Sequence, residues 1–541
     1  MEATERISRI FPEEGSIPEF CQLAAPMEQT GYLVGGELRR WSGPMQEVHS
    51  PVYITGPRGP ERKFLGRYPL LGEAQALEVL EAAVQAYDYG RGQWPTLSVQ
   101  DRITHLEDFA YRMGAQKSAV VKLLMWEVGK SYLDSEKEFD RTIVYLKDTI
   151  NALKDLDRAS SRFVMEQGIL GQIRRAPLGV ALCMGPFNYP LNETLTSVIP
   201  ALIMGNAVIF KPPKLGVLLY SPLLEALRDS FPPGVVNTVY GRGAQVAGPL
   251  MASGKVDVLA FVGTSKVADT LKKQHPKPHR LRSSLGLEAK NPALVFPDAD
   301  LDLAVSECLL GTLSFNGQRC TALKLLFVHV DILPQFLEKF CQALGCLKYG
   351  MPWEPEVAIT PLAEPSRPAY LQELVADARA RDAEIVNPGG GTVNQSFFFP
   401  AVLYPVTDAM RIYHEEQFGP VIPVVPFRHP DAALESLISS NYGQQVSIFS
   451  SNDDTIAYLV DRLVTQVGRV NLNSQCQRGP DTFPFTGRKD SAEGTLSVHD
   501  ALRVFSLRTL VAAKETEPNK KLITGILREH KSNFLSTDFI F

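Results

Sequence analysis

VALCMG at 180–185, AVIFKP at 207–212, VVNTVYG at 235–241 and VDVLAFVG at 256–263 are the runs whose reading decides the fold. Each is short, β-rich and closed by glycine or proline, with helix-like sequence between one run and the next. Apolar runs of this length suit strands covered on both faces, and strands alternating with helices build a parallel sheet. A second series follows, from PALVF at 292–296 through LKLLFVHV at 323–330, FFFPAVLY at 397–404 and VSIFSS at 446–451 to GRVNLN at 468–473. The expectation is an α/β protein with two such units.

Outside these series, residues 73 to 155 read mostly as amphipathic helix. Residues 160 to 175 and 502 to 513 look like strands far apart in sequence, each flanking a unit, and are expected to pair as a small separate sheet. The tail from Lys514 ends in Phe534, Leu535, Phe539, Ile540 and Phe541, apolar residues expected to dock on the body or on a partner subunit, with Phe539 to Phe541 at a subunit boundary. A length of 541 residues suggests several domains.

Composition narrows the function. Hydrophobic residues at 45% and charged residues at 21% are those of a globular protein with a large core. A net charge of −5 with interspersed signs argues against a nucleic-acid partner. The basic stretch from Lys272 to Arg282 reads as a solvated helix end and loop. Seven cysteines without paired spacing suggest a reducing compartment and no metal site. The first residues carry no apolar secretory core, and apolar runs such as ALIMGNAVIF stop short of the ~20 residues that span a bilayer, so no membrane association and a cytoplasmic location are expected.

Chemistry gathers at the strand ends. In Asn316 Gly317 Gln318 Arg319 Cys320 a thiol sits on a glycine-loosened loop beside a guanidinium, a setting that favours the nucleophilic thiolate. Asn188, in PFNYP directly after the first strand, can donate to developing negative charge. Lys211 and Lys214 flank two prolines after AVIF. Gly263 and Thr264 lead into a helix whose N-terminus suits a pyrophosphate, and Gly241 Arg242 Gly243 is a similar loop.

PFNYP, KPPK, FVGTS, FNGQRCTALK, EEQFGPVIPV and FPFTGRKDS, in this order, resemble the NAD(P)-dependent aldehyde dehydrogenase superfamily from about residue 50 to 513. The resemblance implies an aldehyde dehydrogenase-like fold: a Rossmann-like cofactor domain (1–155 and 176–289), an α/β catalytic domain (290–487), a small β oligomerisation arm (156–175 and 488–513) and a C-terminal extension (514–541). It implies a homo-oligomer, a dimer or tetramer. It also implies a covalent route: Cys320 attacks the aldehyde, the Asn188 amide and Cys320 N–H hold the oxyanion, hydride leaves to the cofactor, and water hydrolyses the thioester. Lys211 and Glu416 match residues that hold the cofactor riboses, and Phe418 the one beside the nicotinamide ribose.

Three details refine this expectation. Lys214 stands where many NAD-using relatives carry a glutamate, and lysine attracts a 2′-phosphate, so NADP is expected over NAD. Arg319, Tyr189, Arg478 and Arg141 match substrate-binding residues of the non-phosphorylating, NADP-dependent glyceraldehyde-3-phosphate dehydrogenases, so a small anionic aldehyde is expected, with phosphate and carboxylate both open: glyceraldehyde 3-phosphate first, succinate semialdehyde second. Last, the general-base glutamate of the family falls at Gly286, and the nearest carboxylate is Glu288. Either Glu288 serves as base, or coenzyme A takes the acyl group, or the chain is a non-catalytic cofactor-binding scaffold.

Overall fold

The computed structural model describes residues 3–538. An antiparallel pair, β1 (Met45–Gly56) and β2 (Gly59–Pro69), leads into a helical run. That run closes on the long helix α1 (Tyr132–Ser160), whose N-cap is Ser131, its side chain accepting from the Asp134 N–H. Buried residues of α1 recur at helical spacing, Phe139, Thr142, Leu146, Thr149 and Leu153 among them, and face the core.

Beyond α1 come β3 (Phe163–Glu166), β4 (Ile169–Pro177), β5 (Val180–Met184) and helix α2 (Asn192–Ile203). Next are β6 (Ala207–Lys211), β7 (Val236–Thr238), β8 (Val258–Val262), helix α3 (Ser265–Gln274) and β9 (Arg282–Gly286). The first large sheet has the order β7, β6, β5, β8, β9, all parallel. Chain order reverses between β5 and β8. In a doubly wound sheet that switch opens a crevice outside the carboxyl ends of the strands, where PFNYP and Gly263 Thr264 lie.

In the second sheet β10 (Asn291–Val295) has β11 (Leu323–His329), β12 (Ala401–Tyr404) and β13 (Val421–Phe427) on one side, where β13 lies between β11 and β12. On the other side are β14 (Gln445–Phe449) and β15 (Arg469–Leu472), and a short antiparallel strand, Glu384–Ile385, closes the edge. Leu294, Phe327, Val425 and Ile448 of this sheet belong to a core of their own. The crevice at the carboxyl ends of the first sheet meets the loops that enter β11 and β13 at the amino ends of the second.

The two orphan segments pair. The strand Ser506–Lys514 runs antiparallel to β4 over its nine residues, with β3 on the far side. This sheet is narrower than the span 488–513. Ala492–Glu493 instead adds antiparallel to β9, and the helix Val498–Val504 packs on α1. The physical reason is that Leu496, Val498 and Leu502 are buried, so this stretch follows the core and leaves it only at Ser506. In the tail, Gln172 and Arg174 of β4 donate to the carbonyls of Ser536 and Phe534, at 2.5 and 3.2 Å, and Asn533 donates to Thr96. The tail thus folds back on its own chain as far as described; Phe539 to Phe541 lie outside the described residues.

Candidate active site

The loop into β11 is held in a strained form. Phe315, Asn316 and Gly317 take φ of 49°, 56° and 70°, a left-handed run that costs about 1–3 kcal/mol per non-glycine residue. Hydrogen bonds from the surroundings hold it. Asn316 exchanges bonds with Thr360 at 2.9 and 3.0 Å, the Ala363 N–H donates to Gln318, and Asn291 donates to the Cys320 carbonyl at 2.8 Å. Lys324 also donates to that carbonyl and pairs with Glu416. Glu416 in turn accepts from the Ala289 N–H at 3.1 Å.

Cys320 and Asn188 line one cavity of about 1060 Å³. Asn188 is buried and donates to the Gln318 carbonyl at 2.8 Å, which leaves its second amide hydrogen for a ligand. Among the described residues the Cys320 N–H has no acceptor. Burial pushes the Cys320 thiol up, the Glu193 carboxylate pushes it further, and Lys324 works the other way. The free thiol is thus held mostly protonated at neutral pH.

Of the residues singled out in the sequence, Arg141, Tyr189, Lys214, Gly263, Thr264, Glu288, Arg319, Glu416, Phe418 and Arg478 line this cavity too, together with Gly286. Lys211 and the loop Gly241–Gly243 do not. Lys211 Nζ donates to the Pro212 carbonyl, and dehydration lowers its pKa to about 8. Gly286 has an ordinary φ, and a Cβ there would meet Val262 only at normal contact, so backbone conformation does not demand glycine. Glu288 caps α3: its carboxylate accepts from the Ser265 N–H at 2.8 Å.

Arg141, Arg319 and Arg478 all line the cavity, but two of the three are already ion-paired. Arg141 makes a two-pronged ion pair with Asp481 at 2.7 and 2.8 Å, and Arg478 pairs with Glu193 and, at 3.3 Å, with Asp481. Burial lowers the Arg141 pKa, but Asp481 more than restores it, and the net direction is up. Only Arg319 has no carboxylate partner among the described residues; it donates to the Gly311 carbonyl, and its Nε is buried without an acceptor. Three guanidiniums against two carboxylates leave one net positive charge. Signals for both acids were present, since Asp481 stands in RGPD and Glu193 five residues past Asn188.

Sequence reasoning also missed the scaffold behind PFNYP. Lys130 and Glu138 form a fully buried ion pair. Lys130 donates to the Asn188 carbonyl at 2.7 Å and lies 3.6 Å from the Tyr189 ring centre, while Glu138 accepts from the Leu191 and Asn192 N–H groups that open α2. Glu127, buried and pushed up to about 7 by dehydration, does the same for Val217 and Leu219 in the loop after Lys214. Glu127 and Glu138 lie within helices and Lys130 in the short break between them, and no local motif marks any of the three.

A thiol and a buried amide that line one cavity at the carboxyl ends of a doubly wound sheet suit an enzyme of the dehydrogenase class. The chain belongs to the aldehyde dehydrogenase family, whose model matches residues 53–511. It is an oxidoreductase acting on aldehydes. The NADP-dependent glyceraldehyde-3-phosphate dehydrogenase of Streptococcus equinus is 31% identical over 492 residues, 89% of this chain and 97% of that protein. The protein of the same name from Apium graveolens is 29% identical over 446 residues, 80% of this chain and 87% of its own. Among solved structures, the NADP-dependent glyceraldehyde-3-phosphate dehydrogenase from Bacillus halodurans C-125 complexed with NADP superposes with a TM-score of 0.83, at 28% identity, over 91% of this chain and 100% of that one. Succinate-semialdehyde dehydrogenase from Burkholderia pseudomallei shares the fold, with a TM-score of 0.82 at 23% identity over 92% of this chain and 99% of that one.

Proposed function

We propose that the protein oxidises a small anionic aldehyde to its acid with NADP, through a thioester on Cys320, and that glyceraldehyde 3-phosphate is the first candidate substrate, giving 3-phosphoglycerate. The observation that carries this reading is that Arg319, a guanidinium with no carboxylate partner among the described residues, lines the same cavity as Cys320 and Asn188. An anion bound there sets the distance to the aldehyde carbon. Relatives named for glyceraldehyde 3-phosphate cover most of the chain and favour phosphate over the carboxylate of succinate semialdehyde.

The residues present fit NADP. Lys214 is exposed at the cavity wall and forms no ion pair among the described residues, so a 2′-phosphate finds an unsatisfied cation. A Cβ on Gly263 would run into the Phe261 ring, so the turn into α3 leaves room for close backbone approach. Lys211 and Glu416 would hold ribose hydroxyls, and Phe418, in the left-handed region at φ 44°, would flank the nicotinamide. Bound there, NADP supplies the hydride acceptor.

This chain's own groups do the rest. The Cys320 thiolate attacks the aldehyde carbon, and the oxyanion receives the Asn188 amide and the Cys320 N–H, an arrangement whose donors contribute about 3–4 kcal/mol each. Water then takes the acyl group from sulfur. A second reading, transfer to coenzyme A, draws on the missing carboxylate at Gly286 and on the engagement of Glu288 at the start of α3. The subunits are proposed to assemble through the strand Ser506–Lys514, which exposes Leu507 and Leu510.

Steady-state NADPH formation without phosphate or coenzyme A tests the reading. Glyceraldehyde 3-phosphate is expected to exceed succinate semialdehyde by at least about tenfold in kcat/KM, or 1.4 kcal/mol, and NADP to exceed NAD. A preference for succinate semialdehyde or for NAD would refute the corresponding part.

A further inference from the structure

The carboxylates that line the cavity are Glu193, Glu288, Glu364, Glu415 and Glu416. Glu288 is engaged at the start of α3, Glu364 by Arg367, and Glu415 by Arg411 and Tyr370. Of these, Glu193 and Glu416 both push the Cys320 thiol up, Glu193 the more strongly. Glu416 carries Lys324 and the Ala289 N–H on one oxygen and belongs to the cofactor end. Glu193 stands on the first turn of α2, one turn past the Asn188 oxyanion donor, at the substrate end. One of its oxygens meets Arg478; the other, Oε1, has no hydrogen bond among the described residues.

We propose that Glu193 is the general base of acyl release, taking the role that Gly286 has no side chain to fill. The inference rests on the thioester reading above. An uncommitted carboxylate oxygen within the field of the thiol accepts a proton from water. The water oxygen bonds to the thioester carbon and the C–S bond breaks with its electron pair on sulfur; the acid gives its remaining proton to the Cys320 thiolate and leaves as carboxylate, and Glu193 returns its own proton to solvent. Arg478 holds the carboxylate in place. A substrate anion that draws on the same guanidinium loosens that hold and frees Glu193 once the pocket is filled. Base and anion site are then coupled through one side chain.

The test separates hydride transfer from acyl release, with glyceraldehyde 3-phosphate and NADP mixed rapidly with enzyme in the absence of coenzyme A. Glu193→Gln is expected to keep the burst of one NADPH per active site while release slows about a hundredfold, with the acyl adduct accumulating on Cys320 by mass spectrometry. Glu193→Asp should recover part of the release rate. A structural role alone would depress burst and release together. Should Glu193→Gln lose its fold through an unpaired Arg478, Glu193→Asp keeps the pairing charge and is read alone, with an intact burst and release slowed at least about tenfold. Release at the parent rate in either variant overturns the proposal, as does a Glu288→Gln variant that slows release when Glu193→Gln does not. If neither parent nor Glu193→Gln forms NADPH or an acyl adduct on Cys320, the thioester reading falls with it; a burst that releases only on adding coenzyme A leaves the thioester standing and overturns Glu193 alone.

Discussion

The two ends of the cavity handle charge in opposite ways. At the proposed cofactor end, Lys214 forms no ion pair among the described residues, and Lys211, outside the cavity lining at the end of β6, is dehydrated and donates to the Pro212 carbonyl. At the substrate end, Arg141 and Arg478 are interlocked with Asp481 and Glu193. A cation left unpaired is stabilised by whatever anion arrives, whereas a cation already paired contributes to folding and offers a ligand only what its partner leaves over. On the proposed reading, affinity for the cofactor resides in single side chains and affinity for the substrate anion in a network around Arg319.

Cys320 lies where the two ends meet, and its loss gives the largest effect. Cys320→Ala is expected to cut turnover by roughly 10⁴-fold or more while NADP binding, followed by fluorescence titration, stays within about twofold. Retained turnover would remove Cys320 from the mechanism and with it the meeting point of the two ends.

The contrast itself is tested by taking one cation from each end. Arg478→Leu leaves the Glu193 carboxylate without its ion-pair partner, while Asp481 keeps Arg141, and is expected to cost about 3 kcal/mol in denaturant unfolding. Lys214→Glu should leave unfolding within about 0.5 kcal/mol but raise the KM for NADP at least about tenfold and improve the use of NAD. Equal stability losses in the two variants would break the comparison.

The smallest effect is in pH. The Lys211 pKa stands at about 8 against an ordinary 10.5, so between these values the free protein has lost a proton that the cofactor's anionic groups favour. Binding then takes up a proton, and NADP affinity falls as pH rises through 8, by at most about tenfold per unit. Lys211→Met removes this slope. The sign for folding is the same linkage read another way: the unfolded chain holds its proton up to 10.5, so the cost of burying the charged amine is present below 8 and relieved as pH rises.

Much of this molecule was legible beforehand. The apolar runs at 180–185, 207–212 and 256–263 are strands because a strand buried on both faces needs nothing else from its sequence. The cysteine loop, PFNYP and the paired segments 160–175 and 502–513 were visible for the same reason, each being a local composition with a local consequence. The boundary near 488 was not, because Ala492–Glu493 takes its partner from β9, two hundred residues earlier.

What the sequence determined by itself is the α/β class, the family and the identity of the thiol, amide and cations that meet in the cavity. Tertiary structure alone decided what those cations are free to do. Arg141 and Asp481 lie 340 positions apart, and Arg478 and Glu193 lie 285 apart. Charge is carried by a residue and can be read from its letter, but its availability depends on which opposite charge the fold brings within a few ångströms, and no local spacing encodes that.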